Sequence, residues 1–287
     1  MVNNLFVLDI QAPDRERNRL RASLSDIAPW GWLEEEKNGS FLWRVHFDSL
    51  NRLDQAANYL KKQFSGLNMG HRFEKSEHWQ ENWKKFFTPV HIRNAIMVVP
   101  TWLADTPFPG TTIVIEPKMA FGTGHHATTT LCLQEIDKGF CRGYLRPEDN
   151  FLDLGTGSGI LGIACAKYGM SGLGLDIEGT AIDNARENIA LNRCENEFSV
   201  LEGCLEAIPA EEKFNLILAN ILANPLMQMA GDIVSRLKSQ KFCLVLSGVL
   251  KTQANRVVQA YQEAGLGSPE IVTQDKWAVL VWKGQTK

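Results

Sequence analysis

The sequence predicts an α/β protein in two unequal parts: a parallel sheet covered by helices on both faces from Asn150 onward, and a small α+β unit ahead of it. Three observations predict this. The runs FLDL, GLGLDI, FSVLE, FNLILA and FCLVLSG alternate with helical patterns near 158–168, 179–191, 225–237 and 250–264, and such alternation requires parallel pairing with helices on both faces. The first seventy residues instead run strand, helix, two strands, helix, the layout of a split βαβ sandwich. A chain of 287 residues, 44% apolar and 22% charged, can bury one large core or two unequal ones.

Taken in order, LFVLDIQA (5–12) reads as a strand and DRERNRLRASLSDIA (14–28) as an amphipathic helix. WGWLEEEKNGSFLWRVHFD (30–48) reads as a hairpin turned at Asn38-Gly39, because both residues of such a turn need a positive φ. LNRLDQAANYLKKQFSG (50–66) supplies a second helix. In SEHWQENWKKFFTPV (76–90), Trp79, Trp83, Phe86 and Phe87 line one helical face, either of a connector between two domains or of a core-facing helix. IMVVPTW (96–102) and TTIVIEP (111–117) are β-rich runs before the glycine-rich stretch AFGTGHHATTT. At the far end, SPEIVTQ and WAVLVWK flank a short turn at Gln274-Asp275 and read as a terminal antiparallel hairpin.

A formal net charge of −3 carries no nucleic-acid signature, so no direct DNA contact is expected. No basic start precedes an apolar core at the N-terminus, and no run of about eighteen apolar residues occurs; neither a signal peptide nor a membrane span is expected. The six cysteines, Cys132, Cys141, Cys165, Cys194, Cys204 and Cys243, never form a CxxC pair and read as reduced thiols of a cytoplasmic protein.

The strand FLDL runs into Gly155-Thr156-Gly157-Ser158-Gly159 and then a helix. Such a turn lets backbone approach a ligand and aims free N–H groups at it. At the end of the second strand sits Asp176, whose carboxylate can accept both hydroxyls of a ribose. Together these point to a nucleoside cofactor. Residues 157–162 also fit GxGxxG, which raises a nicotinamide-dependent oxidoreductase. Against it, Asp153 would point a carboxylate at the turn, suiting a cationic methionine-like group better than a pyrophosphate. The turn also lies mid-chain, and no hydride-transfer machinery follows. S-adenosyl-L-methionine is therefore the expected cofactor.

In NLILANILANPL (215–226), the buried strand FNLILA delivers Asn220 to its carboxyl end, where open α/β sheets hold ligands. Asn224 precedes Pro225 and reads as the N-cap of the next helix. Asn220 is thus the chemical asparagine. Methyl transfer from a sulfonium needs a neutral nucleophile held in line. Neutralising a lysine amine at pH 7 costs about 4–5 kcal/mol unless the site lowers its pKa. An apolar pocket beside a cation disfavours the ammonium, and the Asn220 carbonyl can accept an amine proton and aim the lone pair. Ile221, Leu222 and Ala223 follow it, with neither proline nor aromatic, which suits an aliphatic amine better than a flat ring.

AFGTGHHATTTLCL (120–133), LDLGTGSGILGIA (152–164), GLDI (174–177) and LANILANPL (218–226), with EHWQENWKKFFTPV (77–90) and IVIEPKMAFGTG (113–124), resemble the bacterial ribosomal protein L-eleven (L11) methyltransferases, the PrmA family. The resemblance covers residues 77–250 well; the first seventy agree in layout more than in motif. It implies a Rossmann-like seven-stranded methyltransferase domain (89–287), a linker helix (71–88) and an N-terminal ferredoxin-like domain (1–70) that docks the large-subunit ribosomal protein. It also implies methylation of lysine ε-amines and the N-terminal α-amine of that protein by a monomeric enzyme. By position, Thr129, Gly155, Asp176 and Asn220 would contact S-adenosyl-L-methionine, with Gly157 in the same turn. Phe121 and the Gly122-Thr123-Gly124 loop would close over cofactor and amine, so Asn220, Phe121 and Thr123 form the expected catalytic set. Many relatives carry proline where this chain has Ala127, which implies a slightly looser loop and an intact site. His125 and His126 lack further ligands at metal spacing, and no metal is expected. Methylation of another protein lysine or of a small amine, and a catalytically inactive binding module, are the competing readings.

Overall fold

A computed structural model describes residues 5–28, 32–37, 40–47, 49–74, 88–117, 122–239 and 241–285. The chain divides into two compact units, Met1–Thr88 and Pro89–Lys287.

The first unit contains β1 (Leu5–Pro13), α1 (Arg17–Ile27), β2 (Leu33–Lys37), β3 (Ser40–Phe47), α2 (Leu50–Gln63) and β4 (Asn68–Glu74). The strands form one antiparallel sheet in the order β2-β3-β1-β4. With β4 the chain order becomes βαββαβ, the ferredoxin-like arrangement. The sequence places 71–74 in a linker helix; those residues instead form a further strand paired with β1, Leu5 opposite Glu74 and Leu8 opposite His71. Residues 75–87 of that expected helix, with Trp79, Trp83, Phe86 and Phe87, lie outside the described residues, as does the Asn38-Gly39 turn, although Lys37 and Ser40 do pair across it. Leu53, Ala56 and Leu60 of α2, spaced to share a helix face, bury against Leu8, Ile10, Trp43 and Val45 of the sheet. Ser49 caps α2 by accepting from the Arg52 N–H.

The second unit opens with β5 (Val90–Ile92), β6 (Ile96–Pro100) and β7 (Thr111–Ile115), a small sheet of its own in which β6 and β7 run parallel. α3 (Ala127–Cys141) leads to β8 (Asn150–Leu154), α4 (Ile160–Lys167), β9 (Ser171–Asp176), α5 (Gly179–Leu191), β10 (Phe198–Glu202) and β11 (Leu216–Asn220). Then come α6 (Ala223–Gln228), α7 (Ala230–Ser235), β12 (Lys241–Leu250), α8 (Ala254–Glu263), β13 (Glu270–Gln274) and β14 (Trp277–Gln285). The seven-stranded sheet has the order β10-β9-β8-β11-β12-β14-β13, parallel from β10 to β12. β14 inserts antiparallel between β12 and β13, so the expected terminal hairpin is part of this sheet.

Period-2 geometry explains why these strands read as unbroken apolar runs. Leu216 and Leu218 of β11 enter one core with Phe151, Ile163 and Ile182, while Ile217 and Ala219 enter the other with Leu226, Ile233 and Val257. Both faces of β11 are covered, so its first four positions are all apolar. The helix expected over 225–237 is two short helices meeting at Met229, and it begins at Ala223. Asn224 is therefore not the N-cap. Leu222 holds that position without a side-chain bond, and Pro225 falls inside the first turn, where backbone N–H groups need no helical partner. Cys132, Cys165 and Cys243 are wholly buried; burial pushes the Cys132 and Cys243 thiols up to about 12. Among the described residues no helix is long and apolar enough to cross a membrane.

Candidate cofactor and amine site

The chain leaves β8 toward β9 and β10 on one side, then returns to build β11 and β12 on the other. That reversal opens a crevice beyond the carboxyl ends of β8 and β11, where ligands of open α/β sheets bind. Three sequence features converge on it: the glycine turn after β8, Asp176 ending β9 and Asn220 ending β11.

The turn is held from below. The N–H groups of Gly155 and Thr156 donate to Leu175 O at 2.8 and 2.9 Å. Gly155, Gly157 and Gly159 all have positive φ, at 73°, 56° and 81°. At Gly155 a Cβ would fall on the Ile221 side chain, so glycine lets the turn lie against the residue that follows Asn220. Asp176 Oδ2 accepts the Gly157 N–H at 2.8 Å and Oδ1 accepts the Glu178 N–H at 3.1 Å, fixing the carboxylate with acceptor capacity left on each oxygen.

Asp153 braces the turn from inside. It is wholly buried, and its Oδ2 accepts from the Thr156 hydroxyl at 2.7 Å and from the Gly162 N–H at 3.1 Å. Its Oδ1 is buried without a partner. Burial, opposed by those two hydrogen bonds and reinforced by the nearby Asp176 charge, pushes the carboxyl up from 3.8 to about 6. Between those values the folded protein holds a proton that the unfolded chain has released. The stability from this group is thus full below pH 3.8 and lost as pH rises through about 6, by about 3 kcal/mol. Asp153→Asn removes that ionisation. Denaturant titrations of the cofactor-free protein are expected to show the variant gaining on wild type between pH 4.5 and 7.5; a difference independent of pH would contradict this.

Asn220 is half-buried, and its Nδ2 donates to Thr129 Oγ1 at 3.3 Å. Thr129 is wholly buried in the first turn of α3. The Asn220 Oδ1 is buried and has no hydrogen-bond partner. A buried amide oxygen left unmatched costs about 1–3 kcal/mol and marks where an N–H belongs. His126 caps α3, its Nδ1 accepting from the Thr128 N–H at 3.4 Å and lying 2.7 Å from the Thr128 hydroxyl, with its ring edge on Trp277. No group of three or more metal-binding side chains occurs among the described residues. Thr123 is half-buried on the loop before α3, whereas Phe121 lies outside the described residues.

Two apolar side chains at this end of the sheet escaped or barely entered the sequence reading. Ile177, next to Asp176, is 76% exposed and Leu222, two residues after Asn220, is 72% exposed. They are the most exposed of the large apolar side chains among the described residues. They follow Asp176 and Asn220 at the carboxyl ends of β9 and β11. The signal for Ile177 was an apolar residue continuing a strand past its acid.

The family model for ribosomal protein L11 methyltransferase (PrmA) matches residues 33–285. The chain belongs to the ribosomal protein L11 methyltransferase family. The L11 methyltransferase of Listeria innocua is 36% identical over 209 residues, 72% of this chain and 65% of its own length. That of Geobacter sulfurreducens is 37% identical over 213 residues, 74% and 68%. The alignments thus span about two thirds of these relatives' own lengths. The solved structure of a ribosomal protein L11 methylase from Lactobacillus delbrueckii subsp. bulgaricus is similar at TM-score 0.62 and 30% identity, covering 70% of this chain and all of that one. The second unit is a Rossmann-like methyltransferase fold, and the family's cofactor is S-adenosyl-L-methionine rather than a nicotinamide. The residues at the crevice fit it: a turn of glycines with positive φ, a fixed carboxylate with free lone pairs and an unmatched amide oxygen.

Proposed function

We propose that the protein transfers methyl groups from S-adenosyl-L-methionine to lysine ε-amines and the N-terminal α-amine of ribosomal protein L11. The unmatched Asn220 Oδ1 carries this reading, because it is a fixed acceptor beside the cofactor turn and a neutral amine is the donor that fits it.

Bound at the glycine turn, S-adenosyl-L-methionine supplies a methyl group carried on a sulfonium. The remaining work falls to the chain. Asp176 holds the ribose hydroxyls, the Gly155 and Gly157 backbone sets the turn, and Ile177 gives the base an apolar face. Thr129 accepts from the Asn220 amide nitrogen, which fixes the amide plane and with it the carbonyl oxygen. That oxygen accepts one N–H of the substrate amine and so points the nitrogen lone pair. Leu222, Ile221 and Phe121 exclude water and disfavour the ammonium, so the nitrogen is neutral when it attacks. Thr123 and its glycine neighbours close over the amine. A rim with few fixed donors lets the methylated nitrogen, once water has taken its proton, turn and return for further methyls.

We assign residues 1–74 to recognition of the ribosomal protein and 75–88 to the connection between the units, in an enzyme that acts as a cytoplasmic monomer without contacting DNA. Deleting residues 1–74 is expected to leave S-adenosylhomocysteine binding within about threefold and to abolish methylation of L11. Calorimetry and a labelled-methyl assay check this; full activity in the truncated protein would overturn the assignment. Incubation of the intact enzyme with labelled cofactor and purified ribosomal proteins tests the substrate itself. Label is expected on L11, whereas label on another protein alone would contradict the reading.

A further inference from the structure

We propose that Ser247 is a positioning residue for methyl transfer, holding the first turn of α3 where Thr129 can fix the Asn220 amide. This rests on Asn220 orienting the amine, as proposed above. Asn220 and Ser247 are register partners at the carboxyl ends of β11 and β12. Side chains of such partners stand on one face of the sheet, about 5 Å apart. That face is the one α3 covers, because Leu216 and Leu218 of β11 and Cys243 and Val245 of β12 share a core with Leu131, Cys132 and Ile136. Both strand ends therefore meet the first turn of the helix. The Ser247 hydroxyl donates to Thr128 O at 3.3 Å, and the Asn220 Nδ2 donates to Thr129 Oγ1 at 3.3 Å. Ser247, Thr128 and Thr129 are each wholly buried. Hydrogen bonds sealed from water hold geometry more strictly than exposed ones.

A β-bulge sets Ser247 in this place. Leu246 and Val249, three residues apart, pair with Leu280 and Ala278, two apart, so β12 carries one extra residue here. Leu246 and Val249 both enter the core opposite α3 as a result. Gly248 lies within the bulge at φ +80°, and a Cβ there would fall 2.2 Å from Ile221 O. The bulge thus rests on the main chain of the residue that follows Asn220. The Asn220 side chain makes one hydrogen bond, to Thr129, so the direction of its Oδ1 follows the position of α3. About 1 Å of misplacement at a reacting centre can cost about a hundredfold in rate. His126 caps the same turn of α3, so losing Ser247 loosens that turn without freeing it.

Steady-state kinetics with L11 test this. Ser247→Ala is expected to lower kcat by about tenfold, with KM for L11 and the dissociation constant for S-adenosylhomocysteine each within about threefold. Cys243→Ala, which truncates a buried side chain on the same face of the same strand, is expected to leave kcat within about twofold. In the Asn220→Ala background, Ser247→Ala is expected to lower kcat no further, because it acts through the side chain already removed. A merely structural role would instead multiply the two losses. Ser247→Cys, nearly the same size with a weaker donor, repeats both measurements without leaving a void. It is expected to lose less than alanine and to show the same absence of further loss. Multiplicative losses, a tenfold fall in Cys243→Ala as well, or wild-type kcat in Ser247→Ala beside an inactive Asn220→Ala would overturn the proposal. Wild-type kcat in Asn220→Ala would instead remove the reading of Asn220, and this proposal with it.

Discussion

Asn220→Ala is expected to lower methyl transfer to ribosomal protein L11 by about a hundredfold or more, with cofactor affinity changed far less. The side chain makes one hydrogen bond, to Thr129, so its loss costs about 1 kcal/mol of stability and the fold persists. What disappears is the oxygen that orients the amine. Without it the nitrogen can rotate, regain a proton, or admit water. Asn220→Asp is the informative companion. A carboxylate at the same place favours the ammonium, so transfer is expected to fall near neutral pH and recover part of the loss as pH rises. Steady-state rates across pH separate the two variants. Near-normal turnover in Asn220→Ala would remove Asn220 from the mechanism.

Asp176→Ala is expected to weaken S-adenosylhomocysteine binding by about a hundredfold. The carboxylate is held by the Gly157 and Glu178 N–H groups and has one acceptor direction left on each oxygen. Charge-assisted bonds of this kind contribute about 1.5–3 kcal/mol each, and two ribose hydroxyls together reach that range. The loss also leaves the Gly157 N–H without its acceptor, which loosens the turn. Calorimetric titration reads the effect directly. At saturating cofactor, kcat is expected to fall much less than affinity, because the ribose lies away from the methyl group. A variant that bound S-adenosylhomocysteine as tightly as wild type would show that Asp176 serves only the turn.

The two ends of the site differ in how far the sequence exposes them. Asn220 is legible because β11 is buried on both faces, so a polar residue after four apolar ones must mark the strand's end. Asp176 is legible because the length of a strand–helix–strand unit fixes where the second strand stops. Strand β4 is not: its run NMGHRFE carries only Met69 and Phe73 as apolar side chains, and its pairing with β1 spans about sixty residues. The misplaced cap at Asn224 has a local cause, since proline is tolerated anywhere in a first helical turn and marks the start only to within a few residues. Ile177 falls between these cases, visible as a residue yet without a role until its exposure is seen.

The central claim, that one amide oxygen orients the reacting amine, is tested most directly by a crystal structure of the protein with S-adenosylhomocysteine and a lysine-bearing peptide of ribosomal protein L11. The expected result is the peptide amine nitrogen within about 2.7–3.2 Å of Asn220 Oδ1, with the cofactor sulfur on its far side. An amine held by another group, with the Asn220 carbonyl turned away from it, would contradict the account.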